Sequence, residues 1–181
     1  ALQPGETMAV TGAGGSVGSA AVLLGKHLSA TVIGIASSDA RCARIAENGA
    51  DHTINYRDQD LTATLLDVTD GKGVDLIFDV AGGETLVAAI QGLAWGGRIA
   101  LVGAHAGEVV PVDMVDLFRR HLTVYGCGRY TRPILEAVFA ARVEGLAAPP
   151  IDTVFPLAKA ADAHRLMESR RFFGRTLLTT Q

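Results

Sequence analysis

Apolar stretches rich in valine and isoleucine recur along the chain, and segments with helical spacing separate them. The pattern predicts strands at 7–11, 31–36, 51–54, 74–80, 98–102 and 122–127, with helices at 17–28, 39–47, 61–68, 84–93 and 113–119. Continuous apolar strands that alternate with helices are typical of a parallel sheet covered on both faces. We therefore expect an α/β fold, a doubly wound parallel six-stranded sheet of the Rossmann type with helices on both faces.

The pattern loosens after Cys127. It predicts a helix at 133–143, a strand at 151–155, a helix at 159–167 and a last strand at 176–179. We expect residues 1–130 to form a dinucleotide-binding core. Residues 131–181 would then form a C-terminal helix and a strand-helix-strand tail that completes the domain.

Composition narrows the possible functions. Sixteen basic residues against nineteen acidic ones give a net charge of -3, which argues against a nucleic-acid binder. No stretch of 18 apolar residues occurs, so we expect no membrane span. Two cysteines, Cys42 and Cys127, suit a reducing compartment and a cytoplasmic protein. Neither they nor the five histidines have metal-binding spacing, so we expect no metal.

A glycine-rich turn follows the first predicted strand and precedes the first helix. It has the sequence TGAGGSVG and carries Gly12, Gly14, Gly15, Ser16, Val17 and Gly18. Small residues let the backbone turn tightly and approach a pyrophosphate, and the start of the helix favours negative charge. A lone glycine-rich turn is a weak signal, but its place between a strand and a helix predicts a dinucleotide site.

The end of the second predicted strand points to the type of dinucleotide. NAD-binding folds usually place an acidic residue there, which binds the ribose hydroxyls, but Ala36 holds that position. Ser37, Ser38 and Arg41 follow and could bind a 2′-phosphate. The sequence therefore favours NADP(H). Asp39 leaves NAD open, because it could either cap the next helix or bind the ribose.

From Leu2 to Thr179 the chain resembles the cofactor domain of medium-chain dehydrogenases/reductases, and most closely their zinc-independent quinone oxidoreductase branch. The segments that carry the resemblance are LQPGE, TGAGGSVG, NGADHTINY, GVDLIFDVAGG, GGRIALVG and AHRLMESRRFFGRTLL. Ser16 departs from the family pattern, which usually has glycine there. The resemblance implies an NADPH-dependent oxidoreductase that transfers hydride to a quinone or an activated C=C bond.

The resemblance also implies a role for individual residues. The pyrophosphate would lie along Gly15, Ser16 and Val17; the 2′-phosphate at Ser37, Ser38 and Arg41; the adenosine half beside Tyr56 and Ala81; and the nicotinamide beside Val102, Gly103, Ala104 and His105, closed by Gly128, Arg129 and Tyr130. Independently of the family, these residues lie where the predicted strands end, and parallel sheets bind ligands at that edge. No catalytic residue is identified.

In this family a preceding GroES-like domain supplies the substrate pocket, and none of its sequence is present. We therefore expect a cofactor domain that has little activity alone and meets a quinone or enone substrate only together with that domain. Alternatives are an enoyl-reductase module of a polyketide synthase, the cofactor domain of a zinc alcohol dehydrogenase, or a non-catalytic dinucleotide sensor. The predicted edge strand 122–127 lacks proline and lysine, so we expect it to pair two copies into a homodimer.

Overall fold

A parallel sheet of six strands forms the centre of the fold in the computed structural model, which describes residues 1–180. Its strands are β1 (Thr7–Thr11), β2 (Thr31–Ala36), β3 (His52–Asn55), β4 (Val74–Asp79), β5 (Leu93–Leu101) and β6 (Thr123–Gly126). They run in the order β3-β2-β1-β4-β5-β6, and every neighbouring pair is parallel. This order confirms the predicted Rossmann sheet and places the topological switch point between β1 and β4.

Helices connect the strands and cover the sheet. They are α1 (Ser16–His27), α2 (Asp39–Glu47), α3 (Leu61–Val68), α4 (Gly83–Gln91) and α5 (Met114–Arg119). Side chains alternate along the central strands, so that Met8 and Val10 join one apolar cluster with α1 and α2, and Ala9 joins the other with α3 and α4. Two separate cores therefore form, one on each face of the sheet.

The C-terminal part is more loosely built. It contains α6 (Arg132–Val143), β7 (Ile151–Pro156), a short 3₁₀ helix (Leu157–Lys159), α7 (Ala160–Glu168) and β8 (Arg175–Thr179). Strands β7 and β8 form a parallel pair apart from the main sheet. The predicted strand-helix-strand tail is thus present, while α6 has no buried residue among those described. Within residues 1–180 no helix is long and apolar enough to cross a bilayer.

The largest error in the predicted boundaries lies between α4 and β5. The sequence pattern places a helix at 84–93 and a strand at 98–102, whereas α4 ends at Gln91 and β5 begins at Leu93. Leu93 pairs with Val74, and a register shift then separates this pair from the rest of the β4–β5 ladder. A glycine such as Gly96 suggests a turn in the sequence. In the structure Gly96 has a φ of 72° and lies within the irregular strand β5.

Candidate functional site

The loop between β1 and α1 places a helix start at the carboxyl edge of the sheet. Gly12 has a φ of 60°, which only glycine adopts at little cost. Gly15 is the N-cap residue of α1, and no side chain among residues 1–180 caps this helix. Its first turn also carries no acidic residue. The first N–H groups of α1 and the positive end of its dipole are therefore suited to an anion.

Two other glycines, one in this loop and one in the first turn of α1, allow close contacts with their neighbours. A Cβ on Gly18 would lie 2.3 Å from the carbonyl oxygen of Gly12 and 2.7 Å from the Cα of Ala13. A Cβ on Gly14 would lie 3.1 Å from Nη1 of Arg41. Gly18 therefore allows α1 to pack on the loop, and Gly14 allows the Arg41 guanidinium to approach the loop backbone.

The C-terminal tail packs on the same loop. The Gly174 N–H donates to the Gly14 carbonyl at 2.9 Å, and the Ser16 hydroxyl donates to the Gly174 carbonyl at 2.8 Å. Phe173 is 4% exposed and lies under the Arg44 guanidinium, which is 4.5 Å from the ring centroid. Ser16, where the family usually has glycine, thus joins the loop to the tail through a bond that glycine could not make.

An ion pair holds the tail against α2. The Arg44 guanidinium donates to Asp152 at 3.2 Å, and the Phe173 N–H donates to the same carboxylate at 3.0 Å. Burial raises the pKa of Asp152, but the bonds from Phe173, Thr153 and Arg44 outweigh it and hold that pKa below its usual value. The carboxylate is therefore ionised at neutral pH and fixes the tail beside the glycine loop.

Arg41 reaches from α2 across to the tail. Its Nη2 donates to the Phe172 carbonyl at 3.4 Å and also to the Arg170 carbonyl. The side chain therefore lies between the end of β2 and residues 170–172. This position brings a guanidinium to the place where the sequence predicts a 2′-phosphate.

Asp39, the residue that could allow NAD binding, is hydrogen-bonded away from the end of β2. Asp39 Oδ1 accepts a hydrogen bond of 2.9 Å from Nδ2 of Asn55, at the end of β3. Asp39 also lies in the first turn of α2, where a carboxylate complements the helix dipole. Neighbouring Ser38 is the N-cap residue of α2, although its hydroxyl makes no capping bond among the described residues. Asp39 is thus engaged outside the cavity described next.

The loop, the end of β2 and the tail enclose one cavity of about 650 Å³. Ten residues predicted for the site line it: Gly12, Gly14, Gly15, Ser16, Val17, Ser37, Arg41, Tyr56, Ala81 and His105. Eight other predicted residues do not line it: Gly18, Ser38, Val102, Gly103, Ala104, Gly128, Arg129 and Tyr130. Most residues predicted for the pyrophosphate and the adenosine half thus line the same cavity. Of the residues predicted for the nicotinamide, only His105 lines it.

The residues predicted for the nicotinamide lie in two places, after β5 and after β6. Val102 and Gly103 directly follow β5, where the Val102 N–H donates to the Asp79 carbonyl at 2.8 Å. A Cβ on Gly103 would lie 2.7 Å from the Val80 carbonyl oxygen, so the β4 and β5 ends are closely packed. Gly128–Tyr130 follow β6 and are exposed. The role of these residues in binding remains a prediction.

A buried acid shapes the turn after β4. Asp79 is fully buried and accepts from the Thr11 hydroxyl at 2.5 Å and from the Gly82 N–H at 2.9 Å. The Thr11 oxygen in turn accepts from the N–H groups of Val80 and Ala81. Asp79 therefore holds the turn together, and the turn brings Ala81 to the cavity.

Eight lining residues were not singled out from the sequence: Ile35, Val80, Thr85, Ala106, Arg57, Met167, Arg170 and Phe172. Ala36 also lines the cavity, at the position where the sequence lacks the acidic residue of NAD-binding folds. Arg57 directly follows Tyr56, so its cation could have been noticed. Arg170 and Phe172 lie more than a hundred residues after the loop, and no local pattern links them to it. Together with Arg41, the cavity lining has three arginines and, among residues 1–180, no carboxylate.

Within residues 1–180 there is no group of three His, Cys, Asp or Glu side chains able to hold a metal ion. Zinc sites need three or four such ligands.

Comparison with known proteins yields one family model and many relatives. The family model described as "Zinc-binding dehydrogenase" matches residues 16–144. The chain is 31% identical to the 2-haloacrylate reductase of a Burkholderia species, over 99% of this chain and 57% of that protein. It is also 31% identical to a phenolphthiocerol/phthiocerol polyketide synthase protein of Mycobacterium tuberculosis, over 98% of this chain and 8% of that one.

Solved structures share the fold. The Escherichia coli quinone oxidoreductase complexed with NADPH superposes with a TM-score of 0.85 at 28% identity, over 98% of this chain and 58% of that one. A structure named as an NAD-dependent alcohol dehydrogenase superposes with a TM-score of 0.91 at 34% identity, over 99% of this chain and 52% of that one. The chain thus spans little more than half the length of these two structures and of the haloacrylate reductase.

Proposed function

Because the chain belongs to the zinc-binding dehydrogenase family, we propose that it is the NADP(H)-binding part of an oxidoreductase. The match over residues 16–144 and the reductase relatives confirm the resemblance to the cofactor domain of medium-chain dehydrogenases/reductases and to quinone oxidoreductases. The relatives are longer, so the activity of the whole protein is part of the proposal.

The charge of the cavity carries the choice of nucleotide. Arg41, Arg57 and Arg170 line it, and no carboxylate does among residues 1–180. A 2′-phosphate bears about -1.5 to -2 charges at neutral pH, by analogy with phosphorylated side chains. Guanidinium groups bind such a group through paired hydrogen bonds, whereas a carboxylate would repel it. The cavity therefore favours NADP(H), like the relative crystallised with NADPH, over NAD(H).

The residues present fit the rest of the nucleotide. The pyrophosphate would lie on the α1 N–H groups at Gly15, Ser16 and Val17, where no described side chain caps the helix. Tyr56 and Ala81 would flank the adenosine half. We propose that the nicotinamide lies between the β5 and β6 ends, at Val102–His105 and Gly128–Tyr130.

Bound NADPH supplies a hydride, and we propose that the whole protein delivers it to a quinone or to the β-carbon of an activated C=C bond. The chain's own part is to bind and orient the nucleotide. A preceding GroES-like domain would supply the substrate pocket, which the greater length of the relatives supports. Residues 1–130 would form the nucleotide-binding core, and residues 131–181 would complete it. As the resemblance to the quinone oxidoreductase branch implies, we propose zinc-independent chemistry.

A second candidate parent is a polyketide synthase. The likeness to the mycobacterial synthase protein covers 98% of this chain and 8% of that one. An enoyl-reductase module would use the same nucleotide site and reduce an acyl C=C bond. Flanking acyl-carrier or ketoreductase sequence in the parent would distinguish the two.

Nucleotide titration tests the proposed cofactor. We expect the chain to bind NADPH more tightly than NADH in calorimetry. Arg41→Ala should weaken NADPH binding by about 1.5–3 kcal/mol, the value of a hydrogen bond to a charged group, and should change NADH binding little. Arg119→Ala serves as the charge-matched control, because Arg119 is exposed at the end of α5 and does not line the cavity. No heat with either nucleotide would refute the proposal.

We also propose a homodimer and a cytoplasmic location. Strand β6 is the edge of the sheet, and its four residues are exposed, with Val124 and Tyr125 about half so. Edge pairing would cover them, so we propose an antiparallel two-fold dimer. Sedimentation that shows only monomer at high micromolar concentration would refute it. Two free cysteines, Cys42 and Cys127, support a cytoplasmic setting.

A further inference from the structure

The side chain of Asn55 lies at the junction between β2 and β3. Asn55 is the last residue of β3, pairs in register with Ala36 at the end of β2, and is 4% exposed. Ala36 itself lines the nucleotide cavity. A buried amide therefore lies beside the position that determines which adenosine ribose the fold accepts.

The amide of Asn55 is shared between two carboxylates. Its Nδ2 donates to Asp39 Oδ1 at 2.9 Å and to Asp58 Oδ2 at 2.6 Å, and its Oδ1 accepts from the Arg57 N–H at 3.2 Å. Both amide hydrogens are thus used, and the amide orientation follows from its partners. The same side chain holds Asp39 and anchors the backbone of Arg57, which lines the cavity.

From this geometry we infer that Asn55 is a specificity-determining positioning residue. It holds the Asp39 carboxylate toward β3 and so keeps the adenosine-ribose end of the cavity free of negative charge. The inference rests on the proposed nucleotide function and deepens it. Without the amide, Asp39 and Asp58 lose their common donor and repel each other. Asp39 is then free to turn toward the ribose, where a carboxylate accepts from a 2′-hydroxyl and repels a 2′-phosphate.

The test compares the dissociation constants for NADPH and NADH in single and double variants. We expect Asn55→Ala to weaken NADPH binding and to strengthen NADH binding, moving the ratio of the two constants by about tenfold or more. The double variant Asn55→Ala/Asp39→Ala should return the ratio toward wild type, because the carboxylate that moved is gone. Asp58→Ala is the matched control, since it removes the other carboxylate from the same amide but leaves Asp39 held, and its ratio should stay near that of wild type.

Each outcome decides the matter. An unchanged ratio in Asn55→Ala, with wild type still binding NADPH, overturns the inference and leaves the proposed function standing. A parallel loss for both nucleotides that the double variant does not reverse shows a purely structural role and also overturns it. Wild type that binds neither nucleotide refutes the proposed function and the inference together. Should Asn55→Ala fail to fold, Asn55→Ser keeps the test, because one hydroxyl hydrogen cannot serve both carboxylates.

Discussion

Replacing Gly18 with alanine tests how closely α1 must pack on the glycine loop. The new Cβ would lie 2.3 Å from the Gly12 carbonyl oxygen and 2.7 Å from the Ala13 Cα. Ordinary contact begins at 3.4 Å, so backbone atoms must move by about 1 Å to make room. Both obstacles are backbone atoms, and no rotamer change can relieve the clash.

The two effects of this substitution have opposite signs. Alanine in a helix interior is about 0.5–1 kcal/mol more favourable than glycine. Forcing an extra carbon into a closely packed site costs about 1–3 kcal/mol, and occasionally more. Because the clash here is with backbone on two sides, the upper part of that range applies. We expect a net loss of about 1–2 kcal/mol in the free energy of unfolding, which lowers Tm by about 2–8 °C in a chain of this size.

Thermal and denaturant unfolding measure this loss. The control is Gly128→Ala, because a Cβ there meets nothing within 4 Å and should change the free energy of unfolding by less than about 0.5 kcal/mol. The Gly18→Ala variant should also bind NADPH more weakly, because the new Cβ displaces Gly12, which lines the cavity. A Gly18→Ala variant as stable as wild type would show that the loop and α1 are not in the close contact described, and would refute the reasoning.

Three further substitutions probe the tail and the base of the sheet. Phe173→Ala should cost about 3–5 kcal/mol, seen as a lower denaturation midpoint, because the ring is 4% exposed; a loss below about 1 kcal/mol would contradict its burial. Ser16→Gly removes the bond to the Gly174 carbonyl and should cost about 0.5–1.5 kcal/mol and speed amide exchange at Gly174, whereas unchanged exchange would argue against the contact. The hydrogen bonds from Arg98 to Glu6, at 3.0 and 2.5 Å, hold the Glu6 pKa below its usual value. The stabilisation by this pair is therefore complete above the ordinary pKa of a glutamate and is lost as pH falls through the lower folded-state pKa. Glu6→Gln should remove that pH dependence from unfolding curves, and identical curves for the two proteins would exclude it.

Most of the fold could be predicted because the strands are buried on both faces. Strands such as β2, with five buried residues of six, form apolar runs that few other elements resemble. Strand β5 was located only in part, because Trp95 is exposed and Gly96 and Gly97 resemble a turn. The irregularity that accommodates them follows the pairing of Leu93 with Val74 on the neighbouring strand β4. A local sequence pattern does not contain that pairing.

The site was predictable only where it is local in sequence. The glycine loop and Arg41 lie within a few residues of strand ends, and their positions follow from the βα pattern. The arrangement of Asp39 was not predictable, because its partner Asn55 is sixteen residues away and an aspartate at a helix start has several uses. From the sequence alone, Asp39 is compatible with either NAD or NADP. Only its hydrogen bond with Asn55 indicates that Asp39 is engaged toward β3.

The contribution of the tail follows from where its hydrogen bonds lead. Residues Met167, Arg170 and Phe172 line the cavity, and the Gly174 backbone is bonded to the glycine loop in both directions, through Gly14 and Ser16. A chain cut at residue 130 would therefore lose one wall of the cavity, one of its three arginines and the core residue Phe173. Residues from both proposed parts, the 1–130 core and the C-terminal tail, thus line the cavity.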